Sequence, residues 1–225
     1  MTQKEEWLAG TRSAVPIMLG YVPVGIAYGV MARQAGLNTW QTVLMSLTVY
    51  GGASEMMAAG MVAQGAAVLT IVLTTFILNL RHIIMSTCVF NQMQGGRLPV
   101  RMLAAFGVTD ETFAVYTTTA NAPRTPRYFF SMALCSYLSW ALGSWLGAIA
   151  TGLLPPLITA ALGISLYAMF IGLLMPGLHG NGRLAALVVL TALCNTVLCN
   201  VVQLDSGWSM ILSTLGCAAL GSFFV

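Results

Sequence analysis

Five ionisable residues, Glu55, Arg81, His82, Asp110 and Glu111, sit inside otherwise apolar stretches of the chain. Each group carries a small hydroxyl or amide neighbour: Ser54 before Glu55, Asn79 before the Arg81–His82 pair, and Thr109 before the two acids. An arginine at bilayer depth costs from about 3 to more than 10 kcal/mol, so a chain that keeps one there has a partner or a use for it. One arginine against three carboxylates leaves a formal interior charge of −2 with His82 neutral. Arg81 can pair with Asp110 or Glu111 and tie two helices together, a purely structural role that suits its planar fork of donors. The remaining acids must then hold protons, bind a cation or contact a solute. Desolvation disfavours the charged form of a carboxylic acid, so proton exchange is chemically reasonable in such a cluster.

A second feature is "YGGASE" at Tyr50 to Glu55. Gly51, Gly52 and Ala53 weaken a helix at membrane depth, and broken backbone is tolerated there only where protein or a water-filled cavity covers it. A half-helix starting at this break would turn N–H groups toward an anion such as a carboxylate. The plainer alternative is a tight helix-packing seam. Enzyme signatures are absent: the chain has no HExxH and no GxSxG, and its other histidine, His179, lies in "PGLHGNG". A nucleophile–base arrangement of Ser54 with His82 has no spacing support. The five cysteines, Cys88, Cys135, Cys194, Cys199 and Cys217, lie in apolar segments at no metal or redox spacing and read as packing residues. No cofactor and no metal are expected.

The elements that position these groups follow from composition. Of 225 residues, 58% are hydrophobic and only 7% charged, against about 25% charged in soluble domains. Apolar runs of about 20 residues, the length that crosses hydrocarbon as a helix, recur along the chain. The fold class is therefore an all-α polytopic membrane protein with about 7–8 transmembrane helices, several interrupted by Gly/Pro or polar breaks. A net charge of +3 spread among loops gives no reason to expect nucleic acid. The first twelve residues read as an interfacial lead-in rather than a signal peptide. The first span, 13–32, contains Pro16 and Pro23, and its Gly25 and Gly29 form a small-xxx-small pair that allows close approach of another helix. Runs 40–62, 66–90 and 102–120 carry the polar breaks. Runs 128–154, 157–178, 184–204 and 208–225 read as scaffold. The whole chain, 1–225, is expected to be one permease domain with a polar-site half at 13–120 and a scaffold half at 128–225. If every run crosses, Lys4, Arg12, Arg124, Arg127 and Arg183 oppose Arg33, Arg97 and Arg101, which puts the N-terminus in the cytoplasm. A re-entrant hairpin at "YGGASE" would change that count. "GYVPVGIAYGVMARQAG" and "LGISLYAMFIGLLMPGLHG" also share a Gly/Pro/aromatic texture of the kind left by internal repeats.

Three elements occur together and in order: "YGGASE", "NLRH" and "FGVTDETFAV". With the opening "VPIMLGYVPVGIAYGVMARQAGL" they resemble the Y-x-G-A-S-Q, N/D-x-R-H and T-D-E-x-F elements of the AzlC family, most strongly over residues 13–120. The resemblance implies the large subunit of a bacterial branched-chain amino acid exporter in the cytoplasmic (inner) membrane. Such a permease acts with a small AzlD-type membrane subunit on valine, isoleucine, leucine and in some members methionine, driven by protons. Glu55 stands where many members have glutamine, which bears on substrate and coupling. A zwitterionic apolar amino acid needs a carboxylate site, an ammonium site and an apolar pocket. Arg81 and the N–H groups of Gly51, Gly52, Ala53 and Ser54 suit the carboxylate. Asp110, Glu111 or Glu55 suit the ammonium or the proton, and His82 a proton relay. Asn79 and Thr109 are the polar neighbours of these groups, and Tyr50, Phe106 and Phe113 suit the apolar walls. An uncoupled channel or facilitator for small solutes and a structural or sensory membrane subunit are the rival classes.

Overall fold

The computed structural model describes residues 2–119, 122–153, 178–204 and 206–224, with scattered positions between 155 and 175. All regular structure among them is helical. Helix α1 (Gln3–Gln34) begins at a capping box in which Thr2 and Glu5 exchange hydrogen bonds. It continues through Pro16 and Pro23 without ending. The lead-in expected at 1–12 is thus the first part of the same helix from Gln3 onward, tied down where Thr125 donates to Glu6 at 3.2 Å.

Helix α8 (Pro126–Ala150) runs beside α1 in the same direction, since Gly10 faces Tyr128 and Ser131, Gly25 faces Gly143, and Gly29 faces Ser144 and Ala148. A Cβ on Gly143 would lie 2.6 Å from the Val22 carbonyl oxygen. The small-xxx-small pair at Gly25 and Gly29 therefore meets its counterpart at Gly143 and Gly147, which lets two backbones touch where lipid gives no hydrophobic drive for association.

The remaining segments hang on this seam. Helices α2 (Thr39–Val49) and α3 (Gly52–Ala63) are separated at Tyr50, whose backbone is left-handed (φ 47°, ψ 49°). Helices α4 (Val68–Asn79) and α5 (Arg81–Gln92) are barely separated: Leu80 keeps helical dihedrals, and tighter bonds from Leu80 N–H to Ile77 and from Ile83 N–H to Leu80 carry the chain through. Together they form one 25-residue apolar helix, long enough to cross a membrane. The polar "NLRH" stretch is therefore a local tightening of a helix rather than an unwound break. Helices α6 (Leu98–Phe106) and α7 (Asp110–Thr118) are separated by Gly107 to Thr109, with Thr109 extended as the N-cap of α7.

Contacts decide the direction of the chain at each break. Gln94 N–H donates to the Arg124 carbonyl, Gly96 lies against Pro126, Gly107 against Ala133, and Tyr116 returns to Tyr128 and Phe129. Both ends of the α6–α7 pair thus lie at the end of the molecule where α1 and α8 begin. The α2–α3 pair enters from the opposite end. Tyr28 donates to the Thr42 carbonyl, Tyr50 reaches Tyr21, and Met45 and Ala58 then line one cavity with Ile71 and Val72. The alternative left open for "YGGASE" is resolved as a hairpin, and "GVTDETF" forms a second one inserted from the other end. Arms of 9 to 12 residues are about 14–18 Å long at 1.5 Å per residue, roughly half of a 30 Å hydrocarbon core.

Helices α9 (Gly182–Asn200) and α10 (Ser206–Phe224) form an antiparallel pair, with Leu187 against Gly221 and Ser209 donating to Asn195 Oδ1 at 2.8 Å. Gly207 lies against Thr70 and Met61, so α10 starts at the end where α1 finishes. The run expected at 157–178 lies largely outside the described residues, as does the second half of the suspected repeat. The hairpin directions also redistribute the basic residues. Arg97 and Arg101 join Lys4, Arg12, Arg124, Arg127 and Arg183 at the end where α1 begins, leaving Arg33 alone at the other and Arg81 between them.

Candidate functional site

The two hairpin tips meet at mid-depth. Tyr50 of the first lies 5.9 Å, centroid to centroid, from Phe106 of the second. Between the tips is a cavity lined by Tyr21, Tyr50, Gly51, Gly52, Ala53, Arg81, His82, Thr109, Asp110, Glu111 and Trp140. Nine of the fourteen residues singled out from the sequence therefore share one wall: Tyr50, Gly51, Gly52, Ala53, Arg81, His82, Thr109, Asp110 and Glu111.

Each group arrives by a local device. Arg81 and His82 follow the tightened turn between α4 and α5. Asp110 and Glu111 occupy the first turn of α7, where a helix dipole favours negative charge. Thr109 caps that turn in a capping box with Thr112. At the other tip, the first turn of α3 leaves the N–H groups of Gly52, Ala53 and Ser54 without intrahelical acceptors, as helix geometry requires.

Arg81 Nη2 donates to Asp110 Oδ2 at 2.8 Å, with the two side chains 36% and 26% exposed. It is a part-open ion pair on the cavity wall. Arg81 Nε is buried without a hydrogen-bond partner, so the guanidinium has a donor to spare. The Tyr21 hydroxyl donates to Glu111 Oε2 at 2.6 Å and lies 2.7 Å from Thr109 Oγ1. Asp110 and Glu111 are thus held by different elements: the first by an ion pair to α5, the second by a neutral hydroxyl from α1.

Glu55, Ser54 and Asn79 do not line this cavity. Glu55 is fully buried (0% exposed) behind the α3 tip, where Oε1 accepts from Gly51 N–H at 3.0 Å and Oε2 from Trp140 Nε1–H at 3.2 Å. Ser54 Oγ donates to the Gly51 carbonyl at 2.8 Å, and Ser54 and Asn79 face a separate cavity between the first hairpin and α4. Phe106 belongs to the second tip and packs on Tyr50 and Tyr137. Phe113 is half-buried against the core.

Tyr21 and Trp140 join the cavity without having been legible as site residues, and Trp140 comes from α8, within the stretch expected as scaffold. One signal was available. Aligning the glycine pairs of α1 and α8 puts Tyr21, four residues before Gly25, level with Trp140, three before Gly143, and their rings lie 5.4 Å apart. Space in the cavity is small: about 20 Å³ is open to the centre of a water molecule, room for about one water. Among the described residues no cluster of His, Cys, Asp or Glu could hold a metal ion.

A charged cavity closed between two opposed half-depth hairpins, in a chain of apolar spanning helices, belongs to a multi-pass membrane transport protein. The AzlC protein family matches residues 16–154, and the chain is a member of that family. An uncharacterized membrane protein of Archaeoglobus fulgidus is 35% identical over 173 residues, 76% of this chain and 75% of that protein. The inner membrane protein YgaZ of Escherichia coli is 30% identical over 179 residues, 75% of this chain and 72% of YgaZ. The branched-chain amino acid transport protein AzlC of Bacillus subtilis is 27% identical over 157 residues, 66% of this chain and 61% of that protein. No solved structure matches.

Proposed function

We propose that this chain is the permease subunit of a proton-coupled exporter of branched-chain amino acids, working in a bacterial inner membrane with a small AzlD-type subunit. The observation that carries the reading is the Arg81–Asp110 pair facing a cavity between two hairpin tips. A zwitterion is the charge complement of that pair: its carboxylate replaces Asp110 on Arg81 while its ammonium replaces Arg81 on Asp110. Binding then exchanges one ion pair for two without adding net charge to a site where an uncompensated charge is expensive. The N–H groups of Gly52 and Ala53 offer the carboxylate further donors. Glu111, held by a neutral tyrosine rather than a cation, is the candidate proton carrier, with His82 on the wall of the same cavity. The name of the Bacillus subtilis relative supports the substrate class, and that of the Escherichia coli relative the inner membrane.

Alternating access follows from the hairpins. Each covers the cavity from one end, so withdrawing one tip at a time exposes the site to one compartment. The basic end of the molecule, with Lys4, Arg12, Arg97, Arg101, Arg124, Arg127 and Arg183, faces the cytoplasm by the positive-inside rule, which puts the N-terminus and the second hairpin on that side.

Proteoliposomes holding the chain with and without its small partner, loaded with labelled leucine, valine or methionine, test the reading under an imposed pH gradient. Gradient-accelerated release that vanishes with Arg81→Ala, while folded protein remains, is the expected result. Release indifferent to the gradient makes the protein a facilitator. Loss of assembly rather than flux in Arg81→Ala makes the charges structural.

A further inference from the structure

The polar cavity, with space for about one water, has none for a branched side chain. A second cavity adjoins it. Between α6 and α8 lies a space of about 210 Å³, against about 20 Å³ for the polar cavity, with a lining that is almost wholly apolar. Phe106, Gly107, Ala133, Leu134 and Tyr137 form its wall, and Tyr50 is the residue common to both cavities.

Tyr50 is built as a partition. Its backbone is in the left-handed region, a genuine outlier for a bulky side chain and a conformation that must be held by its surroundings. Its ring is wedged between Tyr137 at 5.0 Å and Phe106 at 5.9 Å, with Tyr21 beside it on the side of the charged cavity. A bulky residue held in a strained backbone conformation by its neighbours favours a second position once they move. Turning the ring aside joins a charged chamber to an apolar one.

We propose that the α6–α8 cavity is the subsite for the apolar side chain of the transported amino acid, and that Tyr50 is the movable wall between it and the Arg81–Asp110 headgroup site. This rests on the amino acid transport reading above and adds its specificity element. The ligand class is an α-amino acid with a branched or unbranched aliphatic side chain. Leucine has three side-chain carbons more than alanine, and each buried carbon is worth about fourfold, so filling the subsite favours leucine over alanine by about sixtyfold.

The test is transport and labelling in proteoliposomes. Leu134→Trp, a half-buried position away from the charged groups, fills the subsite. It should lower the leucine-to-alanine ratio of kcat/KM at least tenfold while alanine flux persists. Phe106→Ala enlarges the subsite and should raise phenylalanine relative to leucine. A diazirine-bearing leucine analogue should label Phe106, Leu134 or Tyr137, and excess leucine should prevent it. If both variants leave the substrate ratios unchanged, or labelling there is displaced by lipid and not by leucine, the cavity is a lipid-facing groove and the subsite is wrong even though transport stands. The cavity does open toward the perimeter, where Leu103 is 57% exposed. If the unaltered protein moves neither leucine nor alanine, the transport reading and the subsite fall together.

Discussion

Replacing Glu55 by glutamine tests how the first hairpin is fastened. Both carboxylate oxygens accept from fixed N–H donors, Gly51 on the hairpin and Trp140 on α8. Glutamine has one acceptor oxygen and an NH2 group, so in either orientation one donor faces another. A buried donor left without its acceptor costs about 1–3 kcal/mol. For a chain of this size that lowers Tm by about 2–4 °C per kcal/mol. Trp140→Phe removes the contested donor and keeps the ring stacked near Tyr28 (6.0 Å, 22°). Glu55→Gln should therefore cost less when Trp140 is already phenylalanine. Thermal melting of the four proteins in detergent gives the coupling, expected at about 1 kcal/mol or more, whereas independent sites add within about 0.5 kcal/mol. Equal costs in the two backgrounds would show that the Glu55–Trp140 bond does not hold the hairpin to α8. Because Glu55 is walled off from the cavity, Glu55→Gln should retain export per folded molecule. Its loss would return Glu55 to the substrate or proton site.

Exchanging the ion pair, Arg81→Asp with Asp110→Arg, should recover only part of the melting temperature lost in either single variant, because the first turn of α7 favours an anion at position 110, and should not recover transport, because the two charges that face the solute trade places. Recovery of both would make the pair a structural latch alone. Tyr21→Phe should speed amide exchange over residues 107–116, since it removes the hydroxyl that holds Glu111 and Thr109; unchanged exchange would mean the second hairpin is held elsewhere. Gly143→Ala should lower stability by about 1–3 kcal/mol through overpacking against Val22. Gly20→Ala, with nothing within 4 Å, should raise it by about 0.5–1 kcal/mol through helix propensity, and both are read by melting.

Charged and small residues in apolar runs marked where the site lies, because their burial cost is visible in composition. What happens to the chain at each mark was not legible. "YGGASE" and "GVTDETF" turn the chain back, whereas "NLRH" only tightens it, and the difference lies in partners supplied by other segments. Tyr50 can hold a left-handed backbone because Tyr21, Phe106 and Tyr137 surround its ring. At Leu80 the backbone never leaves helical dihedrals, and the polar groups simply project from it. Tyr21 and Trp140 escaped notice for a related reason: an aromatic in an apolar span looks like packing until the helix carrying a carboxylate partner is placed beside it. The capping box at Thr2 and Glu5 starts the helix at Gln3, ahead of the apolar run that sets the expected span, because hydropathy marks where a chain enters hydrocarbon and not where its helix begins.

Two half-length hairpins entering from opposite faces also reshape the electric field. Were water to reach each hairpin's base, it would bring the potential of its own compartment inward, and the voltage would fall across the few residues where Tyr50 meets Phe106 rather than across the full hydrocarbon thickness. A charge moved through that narrow zone gains or loses about 2.3 kcal/mol per 100 mV. A zwitterion carries no net charge across it and gains nothing. If transport is proton-coupled as proposed, current recorded during turnover counts the coupled protons alone, and its ratio to leucine flux is the coupling stoichiometry.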